Sequence, residues 1–399
     1  MTDEISGGWY RPEDALRPAG PVSRRRPWPV CPRRSSGGAG GLGSVMLAVL
    51  ALLFGYVLTH RPSPLPAPTG ASSAASDRPS ASVAMPWLGG RRGTGPAGLR
   101  LLVAGADPRV VDAATGVARP PPGIRLPAGA GVTAVPVGRS TIAVVGYAWG
   151  AGIFLQLPGA DPLVLGGRSA VTPSLDGQLI VVASRSGRTI VSGLAVDRGV
   201  RWEWQSSDAI TVLRDTPFGL VLQRSGRSVG GELVLVDRES GAVRRMLGRD
   251  RSVVAAGDRA AAWVPADCAK LCSLAVSKLR GGGRRDYPMP YGRMPESGAF
   301  SPDGRWLALT FPAFGVGPVI RPGYVGVLDL RTGGVLPVPQ VRTAPELGAD
   351  VTWSTDGRWM IIAVKWPDHQ TIAFWRPGGE LRVLATNLPG RPGPVTVLP

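Results

Sequence analysis

The chain has 399 residues, of which 44% are hydrophobic, and it carries 56 Gly and 40 Pro. That apolar content excludes disorder along the whole chain, and the Gly and Pro suit turn-rich β structure. The formal net charge is +17, and all but three of the 45 basic residues are Arg, a ratio that reads as GC-rich coding bias. A basic surface attracts nucleic acid, anionic lipid or acidic wall polymers. No basic block interleaved with aromatics occurs in the repeats, so nucleic acid is not expected as a partner.

Residues 1–41 lack apolar periodicity and are rich in Pro, Gly and Arg, which predicts a disordered tail. The segment Leu42–Thr59 has no charge. As a helix its eighteen residues would span roughly 27 Å, close to a bilayer core of about 30 Å. Arg24, Arg25, Arg26, Arg33 and Arg34 precede it, while only His60 and Arg61 follow closely. This asymmetry predicts a single membrane-spanning anchor with the N-terminus in the cytoplasm. Ser72-Ser73-Ala74 offers small residues at signal-peptidase spacing, so a cleaved leader is the alternative. Residues 60–98, with Pro62, Pro64, Pro66 and Pro68, predict a semi-extended spacer.

From residue 99 to 399 a short apolar strand runs repeatedly into a polar turn that ends in glycine. The clearest copies are Val110–Gly116, Val234–Gly241 and Val327–Gly333; fainter ones end at Gly159, Gly199, Gly281 and Gly378. Successive glycines are 43, 40, 42, 40, 52 and 45 residues apart. A period near forty with strand-like units predicts an all-β fold, a seven-bladed β-propeller. The first repeat is one strand short, and Val395–Leu398 is a strand left over. Their pairing would close the ring and leave no unpaired edge.

A second signature lies upstream of the glycine turns. Phe300-Ser301-Pro302-Asp303-Gly304-Arg305-Trp306 recurs as Trp353-Ser354-Thr355-Asp356-Gly357-Arg358-Trp359, and more weakly as Pro173–Val181. Asp-Gly between two apolar runs is a hairpin signal. These residues resemble the repeats of TolB-like (WD-repeat-like) propellers, in which Ser-Pro-Asp-Gly precedes a buried strand. The resemblance covers two or three repeats and implies an extracytoplasmic interaction module.

Little in the chain points to catalysis or to a cofactor, and none is expected. One His in the repeats, His369, cannot build a His-rich metal site, and no Gly-x-Ser-x-Gly elbow is present. Gly38–Gly43 matches a dinucleotide fingerprint by letter only, because it opens the membrane run and follows no strand. Asp112, Asp197, Asp237 and Asp329 share one repeat slot and predict turn-capping carboxylates. Cys268 and Cys272 are expected to form a local disulfide on the outer side, with paired free thiols the alternative; Cys31 reads as an idle thiol.

The 52-residue spacing comes from an apolar insertion, Pro312–Gly323, between the second and third strands of the sixth repeat. It is either a flap on its own blade or a contact surface of Phe314, Val316, Val319, Ile320 and Arg321. The expected function is a membrane-anchored extracytoplasmic propeller that binds another envelope protein or an anionic wall polymer without catalysis. The alternative is a lactonase- or glycosidase-type propeller enzyme with carboxylates in the central channel.

Overall fold

A computed structural model describes residues 86–399, apart from 105–106, 122–130, 138–140, 149–151, 157–162, 165–168, 196–198, 226–230, 267–272, 291–292, 317–318, 345–346, 390–392 and 399; for 131–169 and 314–320 only the backbone path is described. All of these residues belong to the body Ala81–Pro399. The expected tail 1–41, the apolar span Leu42–Thr59 and Cys31 lie outside the described residues. Among the described residues no helix is long and apolar enough to cross a membrane.

The described structure is all-β. Two short strands, β1 (Trp87–Leu88) and β2 (Arg91–Gly93), precede the repeats. The first repeat contains β3 (Arg100–Val103), β4 (Arg109–Asp112) and β5 (Ala118–Arg119). The second is β6 (Gly131–Val137), β7 (Thr141–Ala148), β8 (Gly152–Gln156) and β9 (Leu163–Val164). The third is β10 (Ser169–Pro173), β11 (Leu179–Arg185), β12 (Arg188–Ala195) and β13 (Gly199–Ser206). There follow β14 (Ala209–Thr216), β15 (Gly219–Ser225), β16 (Gly231–Val236) and the long β17 (Val243–Ala256). The last half of β17 continues into the fifth repeat, with β18 (Ala260–Pro265), β19 (Ser273–Lys278) and β20 (Arg284–Pro288), so that β14 to β20 form one seven-stranded sheet.

The following repeat has β21 (Ser297–Phe300), β22 (Trp306–Phe311), an inserted hairpin β23 (Phe314–Val316) and β24 (Val319–Arg321), then β25 (Gly323–Asp329) and β26 (Val335–Thr343). The final one has β27 (Ala349–Trp353), β28 (Met360–Lys365), β29 (His369–Trp375) and β30 (Arg382–Leu384), with β31 (Leu388–Pro389) beside β29. The chain then returns as β32 (Val395–Leu398), which pairs antiparallel with β3 and supplies the missing strand of the first repeat.

The first strands of successive repeats touch in a closed order: β6 with β10, β10 with β14, β14 with β17, β17 with β21, β21 with β27, β27 with β32, and β32 with β6. Burial follows from this stacking. Second strands such as Leu307–Phe311 are buried at every position because a neighbouring sheet covers each face. That is why they read as continuous apolar runs instead of alternating ones. The outer strand β26 alternates, with Val338, Val341 and Thr343 inward and the residues between them exposed.

One boundary expected from sequence is corrected. The spacer predicted over 60–98 does not run unbroken to 98, because β1 pairs with β26 and β2 pairs parallel with β30. The N-terminal segment therefore adds an outer strand to each of the last two repeats. Two and three residues are too few to form strands alone, so their pairing is imposed by the existing edges that they cover.

Candidate functional site

The turns use their carboxylates structurally. Asp112 accepts from the Thr115 amide at 2.8 Å, Asp237 from the Ser240 amide at 2.9 Å, and Asp329 from the Arg331 amide at 2.8 Å. Asp197 lies outside the described residues. In the second signature, the Ser301 hydroxyl donates to Asp303, and the Trp306 amide donates back to Ser301 at 2.9 Å. Ser354, Asp356 and Trp359 repeat that arrangement. Gly304 and Gly357 close these turns at φ 71° and 69°, a conformation that glycine adopts without steric cost.

Other carboxylates join repeats. Asp215, 1% exposed, accepts from the Ser174 hydroxyl at 2.5 Å, the Leu175 amide at 3.0 Å and two nitrogens of Arg238 at 3.1 and 2.8 Å. Arg238 also reaches Asp176 at 3.3 Å. Arg214 pairs with Asp258 at 2.8 Å across the next junction. These groups satisfy one another and hold the sheets in register.

Among the described residues no three of His, Cys, Asp and Glu gather into a metal-holding group. Asp250, fully buried in β17, stands apart from other carboxylates. It accepts from Gln223 at 2.7 Å, and burial pushes its carboxyl above the usual range. Cys268 and Cys272 lie outside the described residues.

A different kind of site forms around the sixth-repeat insertion. The extra residues form the hairpin β23–β24, in which Phe314 stands opposite Arg321, Gly315 opposite Ile320 and Val316 opposite Val319. The side chains of Phe314, Val316, Val319 and Ile320 are outside the described part. Arg321, the last residue of β24, is exposed and lines a pocket of about 490 Å³ together with Arg293, Arg342, Trp87, Tyr324 and Gln340. Pro322, Gly323, Val338 and Val341 also line it, and among the described residues no carboxylate does.

Three local features build this pocket. First, β26 bulges. Its register against β25 slips between Tyr324, opposite Arg342, and Gly326, opposite Pro337. Second, Gln340 in the bulge holds φ at 64°, a left-handed conformation rare for a residue with a side chain. Its carbonyl accepts the Gly89 amide at 2.9 Å, and Trp87 and Leu88 then pair with Arg342 and Val341. Third, Gly89 lacks a Cβ, which would lie 2.8 Å from the Trp87 ring; its absence lets the indole fold back over the strand. Bulges and strained backbone of this sort concentrate where a protein aims side chains at ligands.

Ring faces and a carbonyl hold two of the pocket arginines, Arg293 and Arg342. The Arg293 guanidinium sits 5.7 Å from the Tyr324 ring centre and donates to the Pro322 carbonyl at 3.3 Å. Arg342 sits 5.9 Å from the Trp87 ring centre. Tyr324 is in turn fixed by stacking on buried Phe311, with ring centres 4.3 Å apart. Among the described residues none of the three arginines pairs with a carboxylate. The chemistry on offer is a cationic rim of planar donors with an indole that is 49% exposed.

Sequence reasoning placed Arg321 on this surface and missed its partners. Trp87 stood in a Pro/Ser/Ala-rich stretch, and Arg293 and Arg342 stood in a connection and an outer strand without any pattern of their own.

No protein-family model matches the chain, and no curated protein matches it. Solved structures do. A Lactobacillus plantarum protein is 13% identical and aligns over 75% of this chain and 99% of its own, at a TM-score of 0.52. TolB from Acinetobacter baumannii is 14% identical over 75% of this chain and 81% of its own, at 0.41. A Bacteroides fragilis protein described as a candidate 6-phosphogluconolactonase is 11% identical over 76% and 100%, at 0.46. Identities this low speak to fold alone. The described part of the chain is all-β, with β-propeller neighbours.

Proposed function

We propose that this protein is a seven-bladed β-propeller, held outside the cell membrane by the segment Leu42–Thr59, that binds an envelope component without catalysis. The cyclic contacts of the first strands and the pairing of β32 with β3 support the seven-bladed ring. The Arg asymmetry around Leu42–Thr59 supports the orientation. The observation that carries the binding function is the pocket of Arg293, Arg321, Arg342, Trp87 and Tyr324. Aromatic and Arg side chains together dominate binding energy at interfaces, and here they converge from four separate stretches of chain.

Crosslinking in intact cells followed by mass spectrometry tests this reading. Wild-type protein is expected to capture an envelope component that the double variant Arg293→Glu/Arg321→Glu does not. Identical capture by both, or hydrolysis of a lactone or glycoside by the purified chain, would overturn it.

A further inference from the structure

The same pocket has a chemistry that narrows its ligand class. We propose that it binds an anionic polysaccharide, with one carboxylate or phosphate held by the arginine rim and the adjoining sugar ring laid against Trp87. This rests on the binding role proposed above and specifies it.

Three observations point this way. Arg presents a planar fork of N–H donors that matches an oxyanion at two points. Arg321 and Arg342 are exposed, and ring contacts and the Pro322 carbonyl use only part of the donor capacity of Arg342 and Arg293. An oxyanion arriving there displaces no resident carboxylate among the described residues. Beside the rim, Trp87 keeps 49% of its surface in water although its strand is paired. An indole left that open, with its backbone fixed by β26, is a flat apolar platform suited to the C–H face of a pyranose. The volume of about 490 Å³ lies within the span of small-ligand pockets and takes in a short stretch of polymer.

The alternatives fit the geometry less well. An extended peptide would add to a free sheet edge, but the adjacent edge of β26 is already covered by β1. A lipid surface calls for several raised apolar side chains, whereas of the described apolar residues lining the pocket only Trp87 is exposed, and Val338 and Val341 are each 3% exposed beneath the rim. The chain is also basic beyond the tail, since 38 basic and 24 acidic residues follow residue 60, which favours long anionic chains by steering.

The test uses the full chain purified in a neutral detergent, with binding followed by calorimetry at two salt concentrations. The probes are polygalacturonate, a sugar-phosphate polymer, polyglycerol phosphate, neutral dextran and phosphatidylglycerol vesicles. The expected result is binding of polygalacturonate or of the sugar-phosphate polymer but not of dextran; which of the two is tighter identifies the oxyanion. Arg321→Glu/Arg342→Glu should lose about tenfold or more with an unchanged melting temperature. Arg321→Lys should recover only part, because it keeps the charge and not the fork. Trp87→Ala should weaken the sugar polymers several-fold and leave polyglycerol phosphate untouched.

Equal affinity of wild type and the double Glu variant for the polymers would overturn the proposal, as would binding of vesicles alone. So would indifference of the sugar polymers to Trp87→Ala. If all polymers fail while intact-cell crosslinks still depend on Arg293 and Arg321, the binding module stands and the polysaccharide assignment falls.

Discussion

Arginine serves opposite purposes at two places in this molecule. At the junction of the third and fourth repeats, Arg238 is committed to Asp215 and Asp176, and Asp215 is only 1% exposed. At the sixth repeat, Arg293, Arg321 and Arg342 face a shared pocket, and Arg293 and Arg342 rest on aromatic rings. The first arrangement closes its own hydrogen-bonding capacity and holds sheets together. The second leaves capacity open at the price of mutual repulsion that a ligand would relieve. A basic side chain is therefore informative about function only once its partners are known.

The largest expected effect breaks both regions at once. Deleting Val395–Leu398 removes the backbone pairing to β3 and uncovers Leu102, which is packed against Leu398. A loss of roughly 3–5 kcal/mol is expected, seen as a fall in melting temperature of roughly 10 °C. An unchanged melting temperature would show that the ring does not depend on this strand.

Next in size, Asp215→Ala leaves Arg238, the Ser174 hydroxyl and the Leu175 amide without their shared acceptor. It should cost about 2–3 kcal/mol in denaturant unfolding and leave ligand capture unaffected apart from the lost protein. By contrast, Arg321→Glu should change stability by less than about 0.5 kcal/mol and abolish capture. If the two variants behave alike, the distinction between committed and open arginines is false.

The smallest effect is on pH. Bonds from the Ser240 amide and hydroxyl and from Arg244 hold Asp237 down at about 2, and the Ser354 hydroxyl and the Arg358 amide hold Asp356 low. A depressed carboxylate stabilises the fold above its unfolded value, near 3.8, and that stability fades as pH falls towards 2. Asp250 has the opposite sign: burial raises it, so its contribution weakens as pH rises past 3.8. Asp237 is partly exposed, so solvent screens its bonds, and Asp237→Asn should flatten the acid limb by roughly 1–2 °C at most. Thermal melts between pH 2 and 7 measure it.

Several features could be read from the letters because their causes are local. The Asp–Gly turns at 303–304 and 356–357 and the caps at Asp112, Asp237 and Asp329 depend on residues two or three positions away. The closing strand Val395–Leu398 was legible by counting, since a repeat lacking one strand must be completed from elsewhere. The strands at Trp87–Leu88 and Arg91–Gly93 were not, because nothing in a Pro- and Ser-rich run marks a strand; only the edges of β26 and β30 make them so. Likewise β17 merges two repeats by running unbroken through Gly248, Asp250 and Ser252, residue types that would suggest a turn in sequence but pair here with β16, with both neighbours and with β18 respectively.

What the sequence determined by itself was thus the period, the turns and the β character, all of which follow from side chains acting on their own stretch of backbone. Which arginines pair with carboxylates and which, among the described residues, do not was decided by tertiary structure alone. Trp87, Arg293, Arg321 and Arg342 meet only after the bulge at Gln340 has set the register of β1, and a contact between residues so distant along the chain leaves no periodic trace in it.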